Sequence, residues 1–191
     1  MTLALTGLSI HNSYAQTDVT SKYLTNAGFD TGFHYKKGES GNVAQEIRDV
    51  SGWTKDIEVD YTITGIYQFG TAKTFNGASV PANGYDGTSE GGGLALSTGW
   101  GSTLKYNQDV TLSDGKYAIV TVCYNSGTTS AGKNLAGWIP ESGESIMSSQ
   151  ESFTVNKWST DTVFFNVLGE QKGKMQIGLE SVSGSGSGST A

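Results

Sequence analysis

The chain has 191 residues, 27 of them Gly and only 2 Pro, with 36% hydrophobic and 16% charged residues and a formal net charge of −6. That length corresponds to one domain with tails, and abundant Gly with so little Pro excludes a collagen-like polymer. An acidic chain without a basic stripe argues against nucleic acid as a partner, and no stretch reaches the roughly 18 apolar residues of a membrane span.

Residues 1–15 read as the remnant of a signal peptide. Leu3 to Ile10 supply a short apolar run, and Ser13, Tyr14 and Ala15 fit a small-x-small cleavage pattern before Gln16. Export to an extracellular, periplasmic or cell-surface location is the expectation. The one cysteine, Cys123, allows no internal disulfide. A secreted chain without disulfides fits a bacterial source.

Helix signals are nearly absent; only Asn42 to Arg48 has a helical pattern, of at most two turns. Strand patterns recur. Ile57 to Ile63 alternates apolar and polar residues. Gly93 to Ser97 is short and apolar. Leu104 to Leu112 places Leu104, Tyr106, Gln108, Val110 and Leu112 on one side. Lys116 to Tyr124 and Thr162 to Leu168 are apolar on both faces, which predicts strands covered on both sides and a central place for the first of them. Lys174 to Glu180 turns Met175, Ile177 and Leu179 inward and Lys174, Gln176 and Glu180 outward. Turn signals separate them, at Ser113-Asp114-Gly115 and Gln171-Lys172-Gly173 among others. Many short strands without helices predict an all-β, two-sheet antiparallel β-sandwich. Two long stretches, Thr71 to Gly92 and Ser126 to Gln150, read as irregular loops, and loops of that length are commonly functional. The sandwich is expected over residues 16–182, with residues 183–191 as a Gly/Ser-rich loop or linker.

Catalytic signatures are weak. The chain has no GxGxxG before a helix, no GxSxG and no P-loop. His11 and His34 cannot build a metal triad, and no pair of carboxylates stands out as a glycosidase would need. Cys123 lies in the apolar run KYAIVTVCY and is expected to be buried and inert.

The order of certain motifs carries a resemblance. Asn26-Ala27-Gly28-Phe29-Asp30 is followed by Gly52-Trp53-Thr54, then Gly93-Leu94-Ala95-Leu96. Tyr106-Asn107-Gln108-Asp109-Val110-Thr111-Leu112-Ser113-Asp114-Gly115-Lys116-Tyr117 then runs into the apolar strand. From Asp18 to Val182 this resembles the galactose-binding-like jelly roll, including the carbohydrate-binding modules of families four and nine. The resemblance implies that Phe29 and Trp53 flank the first loop and that Gln108 stands at a bend. It also implies a closing C-terminal strand, which this sandwich is expected to lack because Ala191 falls where that strand would begin. Such domains often hold a structural calcium; Asp30 matches the first ligand position, and the second has no counterpart.

Three functions remain open. The first is a non-catalytic module that binds a polysaccharide or oligosaccharide. Its candidate ring platforms are the loop aromatics Trp100, Tyr85, Phe75, Trp138, Tyr67 and Phe69, with Trp100 foremost because the small residues around it cannot bury an indole. The second is a structural or interaction domain that packs on a catalytic domain of a longer parent chain, with these rings buried beneath their own loops. The third is a small hydrolase or lyase with a cleft of convergent carboxylates.

Overall fold

A computed structural model of the chain describes residues 16–38, 41–44, 46–57, 62–99, 101–125, 132–150, 154–181 and 189–190. A single helical turn, α1 (Thr20–Tyr23), opens the described chain. The strands then follow as β1 (Tyr35–Gly38), β2 (Gly41–Ala44), β3 (Thr54–Ile57), β4 (Thr62–Gln68), β5 (Ala72–Phe75), β6 (Ala78–Ser79) and β7 (Gly92–Thr98). The second half supplies β8 (Thr103–Leu112), β9 (Gly115–Tyr124), β10 (Gly132–Pro140), β11 (Ile146–Gln150), β12 (Trp158–Val167), β13 (Gln171–Ser181) and β14 (Ser189–Thr190).

One layer is a five-stranded antiparallel sheet in the order β11-β10-β13-β8-β3. The facing layer comes in two pieces, β12-β9 and β14-β7-β4, also antiparallel. This is the antiparallel β-sandwich that the strand patterns predict. A further small sheet, β1-β2-β5-β6, contains the parallel pair β2–β5.

Alternation explains the packing. Leu104, Tyr106, Val110 and Leu112 of β8 all face inward and are buried. Leu104 and Tyr106, with Leu179 of β13 and Ile66, Leu94 and Leu96 of β4 and β7, form one half of the core. The other half joins Val110, Leu112 and Trp138 to Phe165 and Val167 of β12. The small sheet covers the outer side of β4 and β7, where Tyr67, Phe69, Phe75, Ala95 and Ala44 cluster.

Several expectations need correction. Lys116–Tyr124 is not a central strand: β9 pairs with β12 alone among the described strands, and its alternate residues are exposed. An apolar run on both faces does not itself cover either face; covering depends on which elements the topology brings across it. The run Asn42 to Arg48 is not helical; Gly41–Ala44 pairs antiparallel with β1 and parallel with β5. The stretch Ser126 to Gln150 is not one irregular loop, since Gly132–Pro140 and Ile146–Gln150 are paired strands. Their Gly and Pro content hides the pattern, because Gly137 is needed where a Cβ would strike the Met147 backbone at 2.9 Å. Gln176 faces outward but is buried, donating to Asn107 Oδ1 at 2.7 Å. Within the Gly/Ser-rich tail expected as a loop or linker, Ser189 and Thr190 pair antiparallel with Ser97 and Leu96 of β7. Residues 1–15, read as the signal-peptide remnant, lie outside the described residues.

Candidate functional site

The motifs behind the resemblance meet in space. Gln108 on β8 donates through Nε2 to the carbonyls of Thr25 (3.0 Å) and Gly52 (2.7 Å). Its Oε1 accepts from the Thr25 amide at 2.6 Å. One buried amide therefore staples the first loop and the Gly52-Trp53 turn to the sheet. The Trp53 indole donates to the Asn26 carbonyl at 3.3 Å, and its ring lies 5.8 Å from that of Phe29. These residues build the fold's corner, and the rings of Phe29 and Trp53 also border the cleft between the layers.

Asp30 belongs to the same corner. Its carboxylate is exposed and accepts from the Gly92 amide at 3.1 Å, tying the first loop to the start of β7. Calcium asks for six to eight oxygens. Among the described residues no group of three His, Cys, Asp or Glu side chains gathers there to supply them.

The six candidate rings separate sharply. Tyr67, Phe75 and Trp138 are almost wholly buried, at 0%, 2% and 1% exposure, and Phe69 is also core. The expectation that they sit on loops with open faces is corrected: Tyr67, Phe75 and Trp138 belong to strands, and Phe69 packs edge-on against Tyr67 and Trp158. Trp138 stacks on Phe165 across the sandwich at 6.5 Å. Trp100 lies outside the described residues. Among the described candidates Tyr85 alone is open, at 59% exposure.

Tyr85 stands on a loop that holds its own shape. The Gly84 amide donates to the Thr88 carbonyl (2.8 Å), the Gly87 amide to the Gly84 carbonyl (3.0 Å), and the Thr88 amide to Asp86 Oδ1 (2.9 Å). The Trp158 indole anchors the loop from outside by donating to the Asn83 carbonyl at 3.3 Å. The loop forms the mouth of a cleft of about 630 Å³ between the two layers. Asp30, Tyr85, Asp86 and Glu90 stand at its mouth, and its floor is apolar, with Leu94, Leu96, Met175 and Ile177.

A second open surface escaped the sequence reading. The outward positions of β9 and β12 are Lys116, Ala118, Val120 and Val122 beside Thr160, Thr162, Phe164 and Asn166, all exposed. Phe164 is 69% exposed and sits directly across from Ala118; Val120, opposite Thr162, is 61% exposed. Leu168 continues the row beyond the strand and is also open. The signal was in the sequence, as apolar residues at both parities of both strands, but it read as double burial.

The chain matches no known protein-family model and no curated protein. Solved structures do resemble it. One is a family 61 carbohydrate-binding module in complex with β-1,4-galactotriose, at 11% identity and a TM-score of 0.47, covering 73% of this chain and 83% of that one. A family 11 module from Clostridium thermocellum, in complex with a β-1,3-1,4-mixed-linked tetrasaccharide, gives 14% identity and a TM-score of 0.40 over 76% of this chain and 89% of that one. The enzymatically active domain of bacteriophage CBA120 tailspike protein 4 gives 13% identity and a TM-score of 0.45, over 74% of this chain but only 19% of that one. The sandwich assignment itself rests on the strand pairing above.

The side chains of Lys22, Ser113 and Tyr117 lower the Tyr23 hydroxyl to about 7, while burial moves other groups the opposite way. Burial pushes the Cys123 thiol up to about 12, so the nucleophilic thiolate is suppressed at neutral pH. Burial likewise raises Tyr117 to about 12 and drives Tyr67 higher still. No helix among the described residues is long and apolar enough to cross a membrane.

Proposed function

We propose that the chain is a non-catalytic carbohydrate-binding module of an exported, surface or secreted glycan-degrading protein. The observation that carries this reading is the open face of β9 and β12. It sets a solvent-exposed Phe164 ring among Val120, Thr160, Thr162 and Asn166, with Lys116 the one charged residue among the outward strand positions. Monomeric proteins rarely leave a contiguous apolar face open unless something docks there. A ring beside hydroxyls and an amide suits a ligand that is itself apolar on its faces and hydroxylated at its edges, as a sugar is. Two extended strands side by side present a flat track, which favours a linear polysaccharide over a small free sugar. Tyr85, held by its hydrogen-bonded loop, supplies a further ring.

Affinity electrophoresis through gels containing a panel of soluble polysaccharides tests this directly. Retention should be lost in Phe164→Ala and lowered in Tyr85→Ala, with both variants melting close to the parent. It should change little between low and moderate salt, because an uncharged ligand releases no counterions. If no polysaccharide retards the parent chain, while the open face becomes protected on mixing with a catalytic domain, the interaction-domain reading stands instead.

A further inference from the structure

The two open rings, Phe164 and Tyr85, belong to separate elements, and Trp158 touches both. Alternate residues of a strand share a face, so Trp158, Thr160, Thr162 and Phe164 form one row along β12. The last three are exposed. Trp158 begins the strand six residues before Phe164, which is roughly 20 Å of extended chain. Its partly buried indole is fixed from three directions. The ring meets that of Tyr124, its cross-strand partner, at 5.3 Å and that of Phe69 at 6.2 Å, both edge-on. Its Nε1 donates to the Asn83 carbonyl at 3.3 Å, two residues before Tyr85. The same loop is seated on Phe69, whose amide donates to the Gly91 carbonyl at 3.2 Å. A Cβ on Gly84 would lie 3.2 Å from the Phe69 ring. Tyr85, Trp158, Val120 and Val122 border one concavity, and Val120 and Val122 stand opposite Thr162 and Thr160 on the outward face. Loop and face are therefore one continuous surface, with a ring near each end and hydroxyls between.

We propose that Trp158 is a positioning residue that fixes Tyr85 beyond the far end of the β12 row, so that Tyr85 and Phe164 grip one extended oligosaccharide several sugars apart. This rests on the glycan reading and narrows its ligand to a long, neutral, linear chain. A mobile ring must be ordered when ligand binds, and that cost subtracts from its contact; a ring already held contributes in full. A disaccharide is too short to reach both rings. Asp86 and Glu90 flank Tyr85 on the exposed loop, and Asp30 borders the same concavity, so a uronate or sulfated chain is repelled there.

Calorimetric titration with β-1,4-linked oligosaccharides of glucose, galactose, xylose and mannose, from two to six sugars, tests this, with oligogalacturonate as the acidic control. The proteins are the parent, Phe164→Ala, Tyr85→Ala, Trp158→Phe and the Tyr85→Ala/Trp158→Phe double variant. Trp158→Phe keeps a ring against Phe69 and Tyr124 and removes the donor to Asn83. Tyr85→Ala should weaken binding of six-sugar ligands by about tenfold and leave two-sugar ligands unchanged, while Phe164→Ala weakens both. In the Trp158→Phe background, Tyr85→Ala should cost less than about twofold. Fully additive losses would overturn the proposal, because the indole would then act independently of Tyr85. A Tyr85→Ala loss equal at every length, or tighter binding of oligogalacturonate than of any neutral series, would overturn it too. Amide exchange in the free proteins gives a ligand-independent readout. Trp158→Phe should quicken exchange at Gly84, Gly87 and Thr88 by fivefold or more and leave residues 160–164 unchanged; equal exchange in parent and variant refutes the positioning even where glycan binds. Should Trp158→Phe melt far below the parent, the length dependence of Tyr85→Ala in the otherwise unaltered chain decides. If no glycan binds the parent, the glycan reading itself has failed, and the loop exchange still reports separately whether Trp158 holds Tyr85.

Discussion

Replacing Trp138 by Ala separates core from platform most cleanly. The indole is 1% exposed, lies in the β10 strand between its β11 and β13 neighbours, and stacks on Phe165 of the opposite layer. Removing a fully buried large aromatic costs roughly 3–5 kcal/mol, the transfer loss plus the cavity left behind. For a chain of this length each kcal/mol lowers the melting temperature by about 2–4 °C, so the variant should melt roughly 6–20 °C below the parent. Phe164→Ala offers the contrast. That ring is 69% exposed, so only a minor part of its apolar area leaves the protein's contacts, and the loss should stay below about 1 kcal/mol. Urea denaturation followed by tryptophan fluorescence, with calorimetry in parallel, gives both numbers. A Trp138→Ala protein that unfolds within about 1 kcal/mol of the parent yet loses polysaccharide retention would refute the reasoning, because the indole would then be a ligand platform and not a core residue.

Gln108→Ala should lose about 1–3 kcal/mol, since it strands the Thr25 amide and the Thr25 and Gly52 carbonyls together; faster proteolysis near residues 25–30 would accompany it. Gly92→Ala should be severely destabilising, because an added Cβ would lie 2.7 Å from the Tyr67 carbonyl and 2.8 Å from that of Phe29, both backbone atoms; a variant that melts with the parent would show that this approach is looser than described. Cys123 should resist thiol reagents in the native state at pH 8 and react fully in denaturant, and rapid native labelling counts against its burial. Stability should fall above about pH 9. The Cys123 thiol ionises near 9.0 when unfolded but only near 12 when folded, so the unfolded chain releases its proton first and rising pH favours unfolding. The slope is up to about 1.4 kcal/mol per pH unit for such a group; Cys123→Ala should flatten it, and an unchanged alkaline limb would exclude this thiol as a cause.

The sequence by itself determined the class of fold and most of the strands. Period-2 alternation in Leu104–Leu112 and Lys174–Glu180 is a local property, and it fixes which side of each strand is apolar whatever the strand meets later. Turn residues such as Asp114 and Gly115 are local in the same sense. The motifs around Asn26, Trp53 and Gln108 also held, because short spacings and one amide with three hydrogen bonds leave few ways to close that corner. Only the tertiary structure decided what covers each face. Trp138 looked like a loop ring because Gly and Pro surround it, but a sheet neighbour on either side makes it core. Phe164 looked buried because both parities of its strand are apolar, yet no described element lies across its outward face. Tyr85 and Phe75 come from the same Gly-rich stretch, and one is open while the other, on β5, is sealed in a cluster with Tyr67, Phe69 and Ala95. Burial is set by residues distant in sequence, and that is why the rings of the candidate site could be named from the chain but not sorted by it.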